Sequence, residues 1–238
     1  MKLWRFLISM ELCLGLLALV CVFMAAGSFR LTGEYAAAIN GMPLFAWLRE
    51  VPVTFSWWLW VTLVLLTLLA LNTIFCSSET LLSRWGRGSV VSLLAPQFMH
   101  AGFLLIVLAH LLSAMSSSLH TVEVREMTLA DLPDGSRFGV ASISVNMSPQ
   151  GMPLGFSSEL APDLNKPAER VVISPNHPWF SNGFGVYIKQ AEAYPVKRAL
   201  LEIHREPGAS MALAGALFFT LGNVLLVAVR SKQHEDIL

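Results

Sequence analysis

Three ionisable side chains stand inside stretches that are otherwise apolar: Glu11, His100 and His110. A charged group at mid-bilayer costs about 2.5–3.5 kcal/mol on insertion scales, so each needs a reason to be there. Neutral imidazole is cheaper to bury than a carboxylate, and its ring nitrogen is a good ligand for a metal such as haem iron. His100 and His110 are ten residues apart. Within one helix that is about 15 Å of rise and about 80° short of whole turns. The two therefore point to different faces and cannot share one metal ion as an i, i+4 pair would. The other reading of either histidine is a hydrogen bond to a carbonyl or serine of a neighbouring helix. Glu11 lies near the same end of its own stretch as His100 does of the third. A Glu11–His100 contact would relieve both desolvation costs and raise the basicity of the imidazole.

Outside the apolar stretches, His120 and His177 are candidates for an outward-facing ligand or plain exposed histidines, and His204 sits close to the last apolar segment. The three cysteines, Cys13, Cys21 and Cys76, all lie in or beside apolar segments. There is no C-x-x-C and no C-x-x-C-H, so the chain carries neither a thioredoxin-type motif nor a covalent c-type haem site of its own. Cys76, at a helix end, reads as a small apolar packer. No serine–histidine–acid order, phosphate-cradling glycine loop or carboxylate pair stands out.

The elements that must position these residues follow from composition. The 238 residues are 55% hydrophobic, 13% charged and without net charge. Soluble domains hold about 25% charged residues, so lipid is part of the solvent here. The absence of a basic surplus argues against nucleic acid as a partner. Apolar runs of about 20 residues match the thickness of a hydrocarbon core. They predict four transmembrane helices: one within 1–27 (Phe6 to Ala26), one at 56–76, one at 96–116 and one at 209–229. Lys2 and Arg5 before the first run, and Ala25-Ala26-Gly27 after it, also suit a secretory signal; its length and Glu11 favour a retained helix. Residues 28–55 form an outer loop in which Phe45–Leu48 makes a short amphipathic turn. Residues 77–95 form an inner loop, and Pro96 suits the first turn of the third helix. Residues 230–238 are a tail.

Positive residues set the direction. Lys2, Arg5, Arg84, Arg87, Arg230 and Lys232 flank one side, and Arg30 and Arg49 the other. Both termini are expected in the cytoplasm of a bacterium, with the chain multi-pass in its inner membrane. Residues 117–208 then form an extracytoplasmic β-rich domain, antiparallel and sandwich-like, between helices three and four. Strands are expected at Leu119–Val124, Phe138–Asn146, Val171–Ile173, Val186–Ala191 and Ala199–His204. Alternation in the second of these puts Val140, Ser142, Ser144 and Asn146 on one face and Ala141, Ile143 and Val145 on the other. Turns are expected at Pro133-Asp134-Gly135, Pro149 to Pro153, Asn165-Lys166-Pro167 and Asn182-Gly183.

Several strings, taken in order, resemble the ResB (CcsB) family of system II cytochrome c biogenesis. Ser56-Trp57-Trp58, then Leu71-Asn72 and Cys76, resembles its second helix. Phe98-Met99-His100-Ala101-Gly102 and the apolar run after it resembles its third. Asn176-His177-Pro178, Gly183, Gly185, Tyr187 and Gln190 resembles the end of its outer domain. Glu206-Pro207-Gly208 with Gly215 and Gly222 resembles the entry to a glycine-spaced last helix. The outer domain is shorter than is usual there, Gly27-Ser28-Phe29-Arg30 replaces the usual string after the first helix, and Glu206 stands where Asp is usual, so the likeness is to a short variant.

The resemblance implies a subunit that moves haem outward with a CcsA/ResC-like membrane protein, for attachment to apocytochrome c, with no complete active site of its own. It also implies haem b, held transiently and shared with that partner. His100 is then the haem-iron ligand, His110 a weaker ligand candidate, and Glu11 a partner that contacts the His100 imidazole rather than the iron; a thioredoxin-like thiol reductant is a further partner. Two other functions fit the residues: a b-type haem subunit exchanging electrons with quinone, and a structural membrane anchor.

Overall fold

A computed structural model describes residues 2–39, 41–87, 89–150, 153–162, 166 and 169–235. The chain divides into a helical unit (Met1–Ile39, Leu44–Met115 and Gly208–Leu238) and a β unit (Ser116–Pro207, with Asn40–Pro43). The turn expected at residues 165–167 falls largely outside the described residues.

In the helical unit the elements are α1 (Lys2–Leu7), α2 (Met10–Arg30), α3 (Glu34–Ile39), α4 (Leu44–Glu50), α5 (Val53–Arg84), α6 (Val90–Ser116) and α7 (Ala209–Glu235). Four of them, α2, α5, α6 and α7, are long and apolar enough to cross a membrane. The first span differs from the expected unbroken run from Phe6, because the helix stops at Leu7 and restarts at Met10. Ser9 is the cause: its hydroxyl accepts the Leu12 N–H at 3.1 Å, the bond that begins a new helix. The break leaves the Leu7 carbonyl without a helical partner, and buried Asn72 of α5 donates to it at 2.6 Å; the same amide lies 3.4 Å from Ser9 O, which already accepts the Cys13 N–H. Asn72→Leu keeps the volume but orphans the Leu7 carbonyl. It should cost about 1–3 kcal/mol, read as a lower thermal midpoint of the detergent-solubilised protein. An unchanged midpoint would mean that water already serves that carbonyl.

The stretch 77–95, expected as a loop, is helical at both ends. α5 runs on to Arg84, and α6 starts at Val90. Pro96 is accordingly inside α6 rather than in its first turn. Hydropathy marks where lipid ends, whereas a helix continues for as long as its residues favour it, as Glu79, Leu81 and Leu82 do. The expected turn at Phe45–Leu48 is the helix α4. Its Trp47 is fully buried and donates from Nε1 to the Tyr35 carbonyl at 3.1 Å.

Two close helix pairs build this unit. α2 packs on α5, with the Trp58 ring lying directly over Gly27 and Phe23 meeting Trp57 edge-on at 5.9 Å. α6 and α7 run antiparallel along a seam of small residues seven apart on both sides. Ala95, Gly102 and Ala109 face Gly222, Gly215 and Gly208 in that order. A Cβ on Gly102 would lie 2.5 Å from the Phe219 backbone N and 2.6 Å from the Gly215 carbonyl. A seven-residue repeat keeps one stripe of each helix facing its partner.

The β unit has eight strands: β1 (Ser118–Arg125), β2 (Thr128–Asp131), β3 (Arg137–Met147), β4 (Pro153–Ala161), β5 (Val171–Ile173), β6 (Trp179–Ser181), β7 (Phe184–Glu192) and β8 (Arg198–Arg205). They form two antiparallel four-stranded sheets, ordered β1-β8-β7-β6 and β2-β3-β4-β5. Phe138, Ile143, Leu160 and Ile173 of one sheet and Val186, Leu201 and Ile203 of the other are buried in one cluster, which makes the unit a sandwich. The expected faces of β3 need correction. A bulge between Val140 and Ser142 adds one residue, so Val140 and Ile143 both point into the core.

Just past that bulge, the Ile143 N–H bonds to Glu126 Oε1 at 2.8 Å, and Lys197 Nζ lies 2.9 Å from the same oxygen. The backbone N–H first, and the lysine with it, hold the Glu126 carboxyl below its usual range. Because the folded value is the lower one, the stabilisation is complete above the unfolded value of about 4.3 and is lost as pH falls through the folded value. Glu126→Gln should therefore lower the thermal midpoint of the β unit at pH 7 and weaken its dependence on pH between 7 and 3. Parallel pH curves for the two proteins would remove Glu126 from that role.

Candidate functional site

His100 is placed by the seam. It lies two residues before Gly102, about 200° around α6, so packing Gly102 on α7 turns the imidazole to the other side. There it meets α5, where Ser77 Oγ lies 2.8 Å from Nδ1. The ring is half-buried, and among the described residues Nε2 has no protein partner. This bond to a serine of a neighbouring helix is one of the two arrangements expected for an intramembrane histidine. It also leaves the other available, since it occupies one ring nitrogen. With the proton on Nδ1 and donated to Ser77, Nε2 presents its lone pair, the arrangement in which metal-binding histidines are usually held. Gln97, three residues earlier on α6, has a buried Oε1 that finds no hydrogen bond among the described residues.

The other sequence candidates are not gathered around it. Glu11 is exposed in the first turn of α2, and the bond to the His100 ring comes from Ser77. His110 is exposed further along α6. In the β unit, His120 is exposed on β1 opposite Ile203, and His177 is exposed where it pairs with Ser174 across a tight turn. His204 is half-buried between the Tyr187 ring, 4.9 Å between centroids, and Glu202 Oε2 at 3.3 Å, which is a packing role. All three cysteines are free thiols. Among the described residues no three His, Cys, Asp or Glu side chains converge as a metal cage would require.

The donor set fits one axial position of a haem iron: a single oriented imidazole in a low-dielectric setting. It does not fit two, because the spans on α2, α5 and α7 contain no histidine. Ser77 is what the sequence reading missed. Ser77 falls in the stretch expected as the inner loop, where a hydroxyl is unremarkable, so nothing in the string Cys76-Ser77-Ser78 singles it out. The small residues of α6 that complete the seam were legible only as a seven-residue spacing matched to that of Gly208, Gly215 and Gly222.

No protein-family model matches the chain, and no curated protein matches it. A solved structure described as "Cytochrome c Heme Lyase CcmF" is similar at 14% identity with a TM-score of 0.45, over 87% of this chain and 38% of that one. The chain thus spans well under half the length of that structure, and the likeness is too slight to carry an argument.

Proposed function

We propose that this chain is a membrane subunit of cytochrome c maturation, of the system II kind, which helps deliver haem across the membrane for attachment to apocytochrome c. The observation that carries the reading is the imidazole of His100: half-buried in a span, fixed through Nδ1 by Ser77, and open at Nε2. In this reading haem is cargo and supplies its own iron. Ser77 holds the plane and tautomer of the imidazole, and half-burial against α5 shields it in part from water. One axial ligand from this chain suits transient holding. The second comes from a CcsA/ResC-like partner, and His110 and Glu11, both exposed and outside the Ser77–His100 pair, have no part in holding the iron.

The orientation follows the positive flanks, with both termini cytoplasmic and the β unit outside the bacterial inner membrane. That unit meets the partner, the apocytochrome or a thioredoxin-like reductant. The strings resembling the ResB family support the reading, and each has a local physical role. Asn182 and Gly183 take left-handed φ of 50° and 79° in the β6–β7 turn. Gly185 lies under the Phe180 and Tyr187 rings, and Gly208 donates its N–H to Ser113 Oγ at 3.2 Å.

Two other readings compete. A b-type electron-transfer subunit needs two histidines at one depth, which a homodimer pairing His100 with its copy would provide. A structural anchor is favoured by the Ser77–His100 bond itself, if that bond only joins helices. One experiment separates all three: absorbance spectra of the protein purified alone and with a CcsA-type partner, repeated with His100→Ala and His110→Ala. Haem retained only with the partner and lost with His100→Ala is the expected result. Stable, redox-active haem in the protein alone would favour electron transfer. No haem under any condition would leave the anchor.

A further inference from the structure

A cavity of about 310 Å³ opens between the facing ends of α5 and α6. It continues the line of the Ser77–His100 pair. Thr80, in its wall, lies three residues beyond Ser77, and Pro96, also in its wall, lies four before His100. Steps of three and four residues stay on nearly the same helix face and advance about 4.5–6 Å. The wall also carries Arg84, Arg87, Ser89 and Ser92, and no carboxylate. Neither arginine is in an ion pair among the described residues, whereas in the β unit Arg137 is paired with Asp131 and Arg198 with Glu192. The Thr80 hydroxyl donates to the Cys76 carbonyl at 2.8 Å, which turns its oxygen lone pairs away from that bond and fixes its rotamer.

Two forked guanidinium groups with hydroxyls around a carboxylate-free cavity recognise a planar or tetrahedral oxyanion. The approach to His100 is apolar on one side through Leu93 and Pro96. A ligand that suits both regions is a flat apolar body bearing carboxylates at one edge. We infer that this cavity binds the two propionate carboxylates of the haem presented to His100, with Arg84 and Arg87 as their partners. The inference rests on the reading of His100 as a haem-iron ligand, and it adds a direction: the propionate edge lies toward the α5–α6 connection. The same oxyanion chemistry also belongs to phospholipid headgroups, which the test separates.

The test uses the full chain in detergent, with the partner where binding requires it, titrated with haem and with haem dimethyl ester, whose carboxylates are blocked. Wild-type protein should bind haem at least tenfold more tightly than the diester. Losing one charge-assisted bond at a water-facing rim is worth roughly tenfold, so Arg84→Ala with Arg87→Ala should weaken haem about a hundredfold and leave the diester unchanged. Arg84→Lys with Arg87→Lys should restore part of the loss, and matched thermal midpoints would show that the variants fold. Equal affinity for haem and diester, both lost with His100→Ala, would overturn this inference and leave the His100 reading standing. Binding of neither probe by wild-type protein would overturn both. Haem affinity unchanged in the double alanine variant while co-purifying anionic phospholipid disappears would assign the cavity to a lipid headgroup instead.

Discussion

Valine in place of Gly102 is expected to part α6 from α7 and leave little correctly assembled protein. The space a side chain would need is already filled by backbone: Phe219 N at 2.5 Å, Gly215 O at 2.6 Å and Phe219 Cα at 2.8 Å from the position of its Cβ. Overpacking costs about 1–3 kcal/mol where side chains can turn aside. Backbone atoms cannot, so relief requires moving a whole helix. Within lipid no hydrophobic force drives helices together, and van der Waals contact along the seam is most of what holds the pair. The loss should therefore exceed about 3 kcal/mol and appear as a collapse of the thermal midpoint in detergent. Gly15→Val is the control, since nothing lies within 4 Å of a Cβ there; it should change the midpoint little. A Gly102→Val protein with the wild-type midpoint would show that the seam is not in close contact.

Four long apolar runs announce four spans, because insertion into lipid depends on a sum over about 20 residues. Their helical ends were not legible, since Ser9 breaks a helix inside an apolar run and residues 77–84 extend one beyond it. Strands β1, β3, β5, β7 and β8 were legible because each carries apolar or β-branched residues into the core. β2 and β6 are only four and three residues long. β4 begins at Pro153 and carries Gly155, Ser157, Ser158 and Glu159, a composition that reads as a turn. The bulge in β3 was invisible for a different reason. It depends on how β3 pairs with β4, and alternation along one strand holds no information about its partner.

The candidate site divides in the same way. An imidazole in a span is conspicuous, so His100 stood out. Ser77 did not, because a hydroxyl is unremarkable in any helix. Glu11 was proposed as the neighbour of His100 on depth alone. Depth fixes one coordinate of a side chain, while rotation about the helix and the choice of neighbouring helix fix the others. The Gly102 seam sets that rotation for α6, and so decides that His100 looks toward α5.

His100→Ala should abolish haem binding while leaving the fold intact. The imidazole is half-buried and bonded to one hydroxyl, so its loss removes one hydrogen bond, worth about 1 kcal/mol, and a small volume at a partly open position. If His100 ligates haem as proposed, the variant loses the imidazole that this chain supplies, and affinity should fall at least a hundredfold. Imidazole added to the solution should restore part of the spectrum by filling the vacated place. Ser77→Ala should act more gently. Outer partners of ligating histidines typically affect metal affinity by about 10- to 100-fold, so haem should still bind, more weakly, and with a changed spectrum as the ring loses its fixed plane. His110→Ala, at an exposed position about 15 Å further along α6, should leave haem binding within a factor of about three of wild type, since it lies outside the Ser77–His100 contact and makes no hydrogen bond to it. These three variants separate ligation from helix joining. If the Ser77–His100 bond serves only to join α5 and α6, Ser77→Ala and His100→Ala should lower the thermal midpoint equally, and His100→Ala should take up haem as wild type does. Ligation requires the opposite ordering: a large loss of haem with His100→Ala, a smaller one with Ser77→Ala, and similar thermal midpoints throughout.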